Sequence, residues 1–126
     1  MTCYVALDGP IIRIVLSGTL SAADMLSVGQ EVGELERTLA KVPDRIVDMS
    51  GVVATGFAFE LTMEIARRRR EQVFPNAFRS AILAPTRDSA GFARIFQVLS
   101  NNPQIEVQLF ATLREAEEWL GVPRSP

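Results

Sequence analysis

The stretch Arg45-Ile46-Val47-Asp48-Met49-Ser50-Gly51-Val52 decides how this chain reads. Pro43 and Asp44 break the pattern before it, Arg45 to Met49 form a short apolar run, and Ser50-Gly51 opens a series of small residues. A run of that length between turn signals predicts a β-strand, placed centrally in a sheet by its apolar content. Ser50 to Gly56 read as a loop leaving that strand, and Phe57 to about Gln72 as the helix that follows. Strand, loop and helix in this order begin a unit that a parallel sheet completes.

The alternation continues in both directions. Downstream, Phe74-Pro75-Asn76 form a loop, and Phe78 to Ala84 predict a strand stopped by Pro85. Thr86 or Asp88 opens a third helix with Phe92, Ile95, Phe96 and Leu99 on one face, stopped at Asn101-Asn102-Pro103. Ile105, Val107 and Leu109 alternate with Glu106 and Gln108, the pattern of a half-exposed edge strand. Thr112 and Glu115 form a capping box for a last short helix that Gly121 ends.

Upstream, Met25, Val28, Val32, Leu35 and Leu39 recur at spacings of three and four behind Ser21 and Asp24, an amphipathic helix with a capping box. Before it, Cys3 to Leu7 and Ile11 to Ser17 flank Asp8-Gly9-Pro10, an antiparallel hairpin whose second strand Gly18 ends. The order is ββαβαβαβα: an α/β domain with a mixed, mostly parallel sheet and helices packed against it.

Composition narrows the classes. The chain has 126 residues, 48% hydrophobic and 22% charged, which suits one packed core: a single domain over residues 1–122 and a disordered tail over 123–126. Thirteen basic and 15 acidic residues give a net charge of −2, which does not favour nucleic acid or an anionic membrane. The first ten residues lack the pattern of a signal peptide, and no apolar run reaches the length of a membrane span, so the cytoplasm is the expected location.

Catalytic equipment is sparse. The chain contains no histidine, which removes histidine-based triads, metal ligands and proton shuttles. The one cysteine, Cys3, reads as a small buried hydrophobe. Neither GxSxG, GxGxxG nor GxxxxGK[ST] occurs. Asp48, closing its strand, suits the acceptance of loop amides, and Glu115, Glu117 and Glu118 read as a solvated helix face. The expectation is a protein without catalytic activity, cofactor or metal.

The element order and the stretch Arg45 to Val52 resemble the STAS domain superfamily, whose third strand ends in Asp-Leu-Ser-Gly-Val. Phe92 to Ser100 (FARIFQVLS), Ile105 to Phe110 (IEVQLF) and Leu113 to Gly121 (LREAEEWLG) are similar to the SpoIIAA-like, or STAS/SEC14-like, group. The resemblance implies a regulatory module that binds a protein partner through the loop and the helix after it. Bacterial anti-sigma-factor antagonists of that superfamily are switched by phosphorylation of a serine in an Asp-Ser-Ser-Gly loop. The matching stretch here is Val53-Ala54-Thr55-Gly56-Phe57, so a carried-over phosphosite falls on Thr55. Its alternative role is an N-cap.

The second helix is expected to carry two apolar sides. Phe57, Leu61 and Ile65 make one stripe and Phe59, Met63 and Ala66 another, with a narrow wedge of Glu60, Glu64 and Arg67. A neighbouring helix or a partner surface would cover the second stripe. The expected partner-binding residues are therefore Ser50, Thr55, Gly56, Phe59 and Met63, for a protein partner or a homodimer. Arg67 to Arg70 read as a solvated helix end that suits the dipole, or as an anion-binding rim through Arg67 and Arg70. The SEC14-like side of the resemblance implies a second function: a carrier of a small apolar ligand or lipid, with a cleft between the second and third helices near Phe57 and Phe92.

Overall fold

Asp8-Gly9-Pro10 reverses the chain, with Gly9 at φ 59°, where only glycine is unstrained. The strands on either side, β1 (Cys3–Asp8) and β2 (Ile11–Leu20), pair antiparallel from Cys3↔Leu16 to Asp8↔Ile11. The computed structural model describes residues 3–55, 59–99 and 101–122. The remaining elements are α1 (Ala22–Arg37), β3 (Asp44–Thr55), α2 (Phe59–Glu71), β4 (Phe78–Leu83), α3 (Arg87–Leu99), β5 (Ile105–Phe110) and α4 (Leu113–Leu120). The expected tail, residues 123–126, lies outside the described residues.

The sheet runs β1-β2-β3-β4-β5, antiparallel at the first pair and parallel at the rest, with β5 at an edge. This is the expected ββαβαβαβα order. Strand alternation splits the apolar residues between two faces. Ile12, Ile14, Leu16, Met49 and Ile82 form one face, packed with Val28 and Val32 of α1 and Ala93 of α3. Ile11, Ile46 and Ala81 form the other, packed with Ala116, Trp119 and Leu120 of α4.

Local chemistry fixes the helix ends. Ser21 Oγ accepts the Asp24 amide at 3.1 Å while the Asp24 carboxylate accepts the Ser21 amide at 2.9 Å, the reciprocal box that starts α1. Thr86 Oγ1 accepts the Ser89 amide at 3.0 Å at the start of α3. Thr112 does the same for α4 through the Glu115 amide, and Gly121, in the left-handed region at φ 70°, ends that helix. The C-terminus of α2 is held from a distance: Asn102 Nδ2 donates to the carbonyls of Arg69 and Gln72, both at 2.8 Å.

Two expected boundaries move. Gly18 does not end β2. It sits at φ 73° beside a register shift, and the strand continues to Leu20. Ser50 to Thr55 is not a loop. β3 continues through it, pairing Ser17↔Gly51, Gly18↔Val52, Thr19↔Ala54 and Leu20↔Thr55 across two register shifts. Gly51 makes this pairing possible, since a Cβ there would stand 2.9 Å from Ser17 Cβ.

Candidate functional site

Two regions at the sheet carry candidate function. The first is the far half of β3. Its pairing with β4 covers only Arg45–Asp48 against Ser80–Leu83, whereas its pairing with β2 runs on to Thr55. The β2–β3 ribbon therefore projects past the β4 pairing. Val53 is the extra residue between Gly18↔Val52 and Thr19↔Ala54, and this bulge leaves it 74% exposed. Met49, Val52, Val53 and Ala54 line a groove that Asp88, Ser89 and Phe92 at the start of α3 complete. Clefts at the carboxyl ends of parallel strands are the usual ligand positions in open α/β sheets.

Two of the five expected partner-binding residues, Ser50 and Thr55, lie on this part of β3. Ser50 is exposed, and its amide and hydroxyl both donate to Asp48 Oδ1, at 2.9 and 2.5 Å. Asp48 thus accepts a backbone amide, as its position at the end of the apolar run suggested. Thr55 closes β3, and its side chain lies outside the described residues, as do Gly56, Phe57 and the side chain of Phe59. Met63 on α2 is exposed.

The second apolar stripe of α2 is divided among the described residues: Met63 is exposed and Ala66 is buried. Ala66, assigned to it, is 1% exposed and buried with Thr62. The inward face is centred on Thr62, Ala66 and Arg69, at i, i+4 and i+7, with Leu61 and Ile65 half-buried beside it. Arg69 is therefore turned inward, not part of a solvated helix end. Arg67 bonds Glu64 at 2.7 Å and Glu71 at 2.9 Å, and Arg70, one turn further along α2, is exposed. Glu117 also departs from its expected solvated position, being 3% exposed and 4.0 Å from Arg13 Nη2.

The second region is a cavity of about 130 Å³ between the sheet and the layer of α1, α2 and α3. Its walls are mainly apolar: Ile14, Leu16, Val47, Met49 and Ile82 from the strands, then Met25 and Val28 of α1, Ile65 of α2, and Phe92 and Phe96 of α3. Phe92, one of the two residues named for the expected cleft, lines this cavity, while the other, Phe57, lies outside the described residues. Arg45, Arg69 and Ser80 also line it. Arg45 and Ser80 are register partners on β3 and β4, so they stand side by side on the inner face.

Arg45 is held by two neighbours. Its Nη2 donates to Glu36 Oε2, and its guanidinium lies 4.5 Å from the centroid of the Phe78 ring. Glu36 occupies the last turn of α1, where the helix dipole disfavours a carboxylate, so the buried pair is what retains it there. Burial, and after it the charge of Arg69, push the Arg45 guanidinium down to about 10, with Glu36 opposing both. Burial likewise lowers the Arg69 value against the pull of Glu36. Arg45 therefore remains cationic near neutral pH. Composition alone did not point to this cluster, although strand alternation places Arg45 on the face of Val47 and Met49.

Among the described residues, no group of three His, Cys, Asp or Glu side chains could hold a metal ion, and no helix is long and apolar enough to cross a membrane.

Comparison with solved structures identifies the fold. The chain is similar to an uncharacterized DUF3478-family protein with a SpoIIAA-like fold from Shewanella loihica PV-4, at 17% identity and a TM-score of 0.59, over 94% of this chain and 91% of that one. It is similar to an anti-sigma factor antagonist from Mycobacterium paratuberculosis at 16% identity and a TM-score of 0.59, over 95% of this chain and 93% of that one. No protein-family model and no curated protein sequence matches the chain. The class is thereby defined by its fold: the chain has a SpoIIAA-like α/β fold.

Proposed function

We propose that the chain is a non-catalytic regulatory module of the cytoplasm that docks a protein partner along the projecting β2–β3 ribbon and α2. The observation that carries this reading is the far half of β3, which extends past its pairing with β4 and turns Val53 outward. An unpaired strand edge beside a groove accepts an extended segment by strand addition, with main-chain bonds supplying affinity and side-chain pockets specificity. The antagonist of the same fold from Mycobacterium supports a regulatory role. Met63 extends the apolar surface on α2, and Phe59 is proposed to join it. Thr55 is the proposed switch, because a phosphate there would add about −1.5 to −2 charge at the end of the ribbon.

Native mass spectrometry of the protein purified from its own host tests this reading. The expected result is a complex with a second protein or a second copy, lost on Val53→Lys with an unchanged circular dichroism spectrum. A folded V53K variant that retains the complex, or a wild-type protein found only as a monomer, overturns it.

A further inference from the structure

The cavity under α1, α2 and α3 carries a charge its own residues leave unbalanced. Glu36 pairs with Arg45 and is also the carboxylate that supports Arg69, so one anion serves two guanidinium groups. Arg45 is 2% exposed, and its Nε is buried without a hydrogen-bond partner. Buried polar groups are nearly always paired, and leaving a charged donor unpaired is costlier than leaving a neutral one. Arg69 lines the cavity beside Arg45 and is only partly buried, so an anionic group entering the cavity meets a surplus positive charge.

The rest of the cavity specifies what should accompany that acceptor. Beyond Arg45, Arg69 and Ser80 the lining is aliphatic and aromatic. Its volume of about 130 Å³ approaches that of apolar cavities of ~150 Å³ that take up benzene. A hydrocarbon body of about six to eight carbons is therefore the size that fits.

We propose that this cavity binds a small apolar carboxylic acid, with its carboxylate at Arg45 and Arg69 and its hydrocarbon body among Met25, Val28, Phe92 and Phe96. A monoanion balances the surplus charge of the Glu36, Arg45 and Arg69 group, and a planar carboxylate matches the fork of a guanidinium. A phosphate dianion would overshoot that balance, and a two-chain lipid exceeds the volume. The cavity shares Met49 and Phe92 with the groove beside the ribbon, but Val53 does not line it.

The test is isothermal titration of the full chain at pH 7 with octanoate, octanol, octylamine and dioctanoyl phosphatidate. Octanoate is expected to bind at least about tenfold tighter than octanol, the effect of one charge-assisted hydrogen bond, and octylamine and the phosphatidate more weakly still. Arg69→Met is expected to lower octanoate affinity about tenfold or more while leaving octanol unchanged, and Arg69→Lys to keep most of it. Gly29 lines the cavity, and a Cβ there meets no atom within 4 Å, so Gly29→Leu can be accommodated in α1. G29L is expected to weaken both octanoate and octanol with the fold intact by circular dichroism. Absence of binding by all four probes, equal affinity for octanoate and octanol, or unchanged octanoate binding in folded R69M overturns the proposal. Tighter binding of the phosphatidate than of octanoate overturns it in favour of a lipid headgroup. Loss of the ligand site would leave the V53K result unaffected, so the two readings fail independently.

Discussion

The two faces of the sheet bury their side chains by different rules. Under α4, Ile46, Ala81 and Ala116 are fully buried, and Phe110 packs on Trp119 with ring centroids 5.5 Å apart. Its charged pair, Arg13 with Glu117, is loose at 4.0 Å. Under α1, α2 and α3, the same sheet holds a cavity, a buried Arg45–Glu36 pair and an inward-turned Arg69. The first face has the close packing expected of a protein interior. The second keeps empty volume and buried charge, both of which oppose stability unless something compensates. The comparison locates stability on one side of the sheet and candidate chemistry on the other.

The largest break in that contrast should come from the buried pair. Glu36→Gln leaves Arg45 and Arg69 without their carboxylate and is expected to lower the unfolding free energy by ~3–5 kcal/mol, read by urea denaturation. Replacing both partners of the pair, Glu36→Leu with Arg45→Met, should recover most of the loss, because hydrophobic substitutes remove the desolvation cost as well as the attraction. A double variant no more stable than E36Q would mean that the pair contributes net stability.

Added volume sharpens the contrast at smaller magnitude. Ala81→Val, at a position with no exposed surface on the α4 face, is expected to destabilise by ~1–3 kcal/mol through overpacking. Val28→Ile, beside the cavity, should fall within ~0.5 kcal/mol of wild type in the same denaturation experiment, since there is room for a methylene. Equal losses at the two sites would show that the cavity collapses in solution.

The smallest effect lies on the outer side of α2. Hydrogen bonds from Arg67 and then Arg68 hold the Glu64 carboxyl below its ordinary value. A depressed folded value means that the stabilisation is present above the usual carboxylate range and is lost as pH falls through the lowered value. Because the group is solvated, the effect is slight and salt-sensitive. Thermal unfolding of wild type and Glu64→Gln between pH 7 and pH 2 should show a small difference that closes at the acid end and shrinks in high salt.

Much of the fold was legible because its signals are local. The capping box at Ser21, the N-cap at Thr112, the turn at Gly9 and the stop at Gly121 all act within a few residues and appear where the sequence placed them. Glu115, though, bonds the Thr112 hydroxyl and not its amide. The misread segment, Ser50 to Thr55, shows the opposite case. Ser50-Gly51 is a turn signal by composition, yet Gly51 is there because β2 approaches too closely for a Cβ. A partner more than 30 residues away in the chain decides that, and no window around Gly51 contains it. Arg69 was misplaced for a related reason. Four consecutive arginines read as solvent-facing, whereas the rotation of α2 against α3 selects which one turns inward.

The sequence by itself determined the order of the elements, the hairpin, the helix caps and the parallel character of the later strands. Periodicity and capping are properties of neighbouring residues, and they survive without knowledge of the rest of the chain. Tertiary structure alone decided the projecting half of β3, the seating of Glu36, Arg45 and Arg69 together, and the cavity they border. Each depends on how separate elements pack, where burial changes the energy of a charge and register fixes which side chains meet.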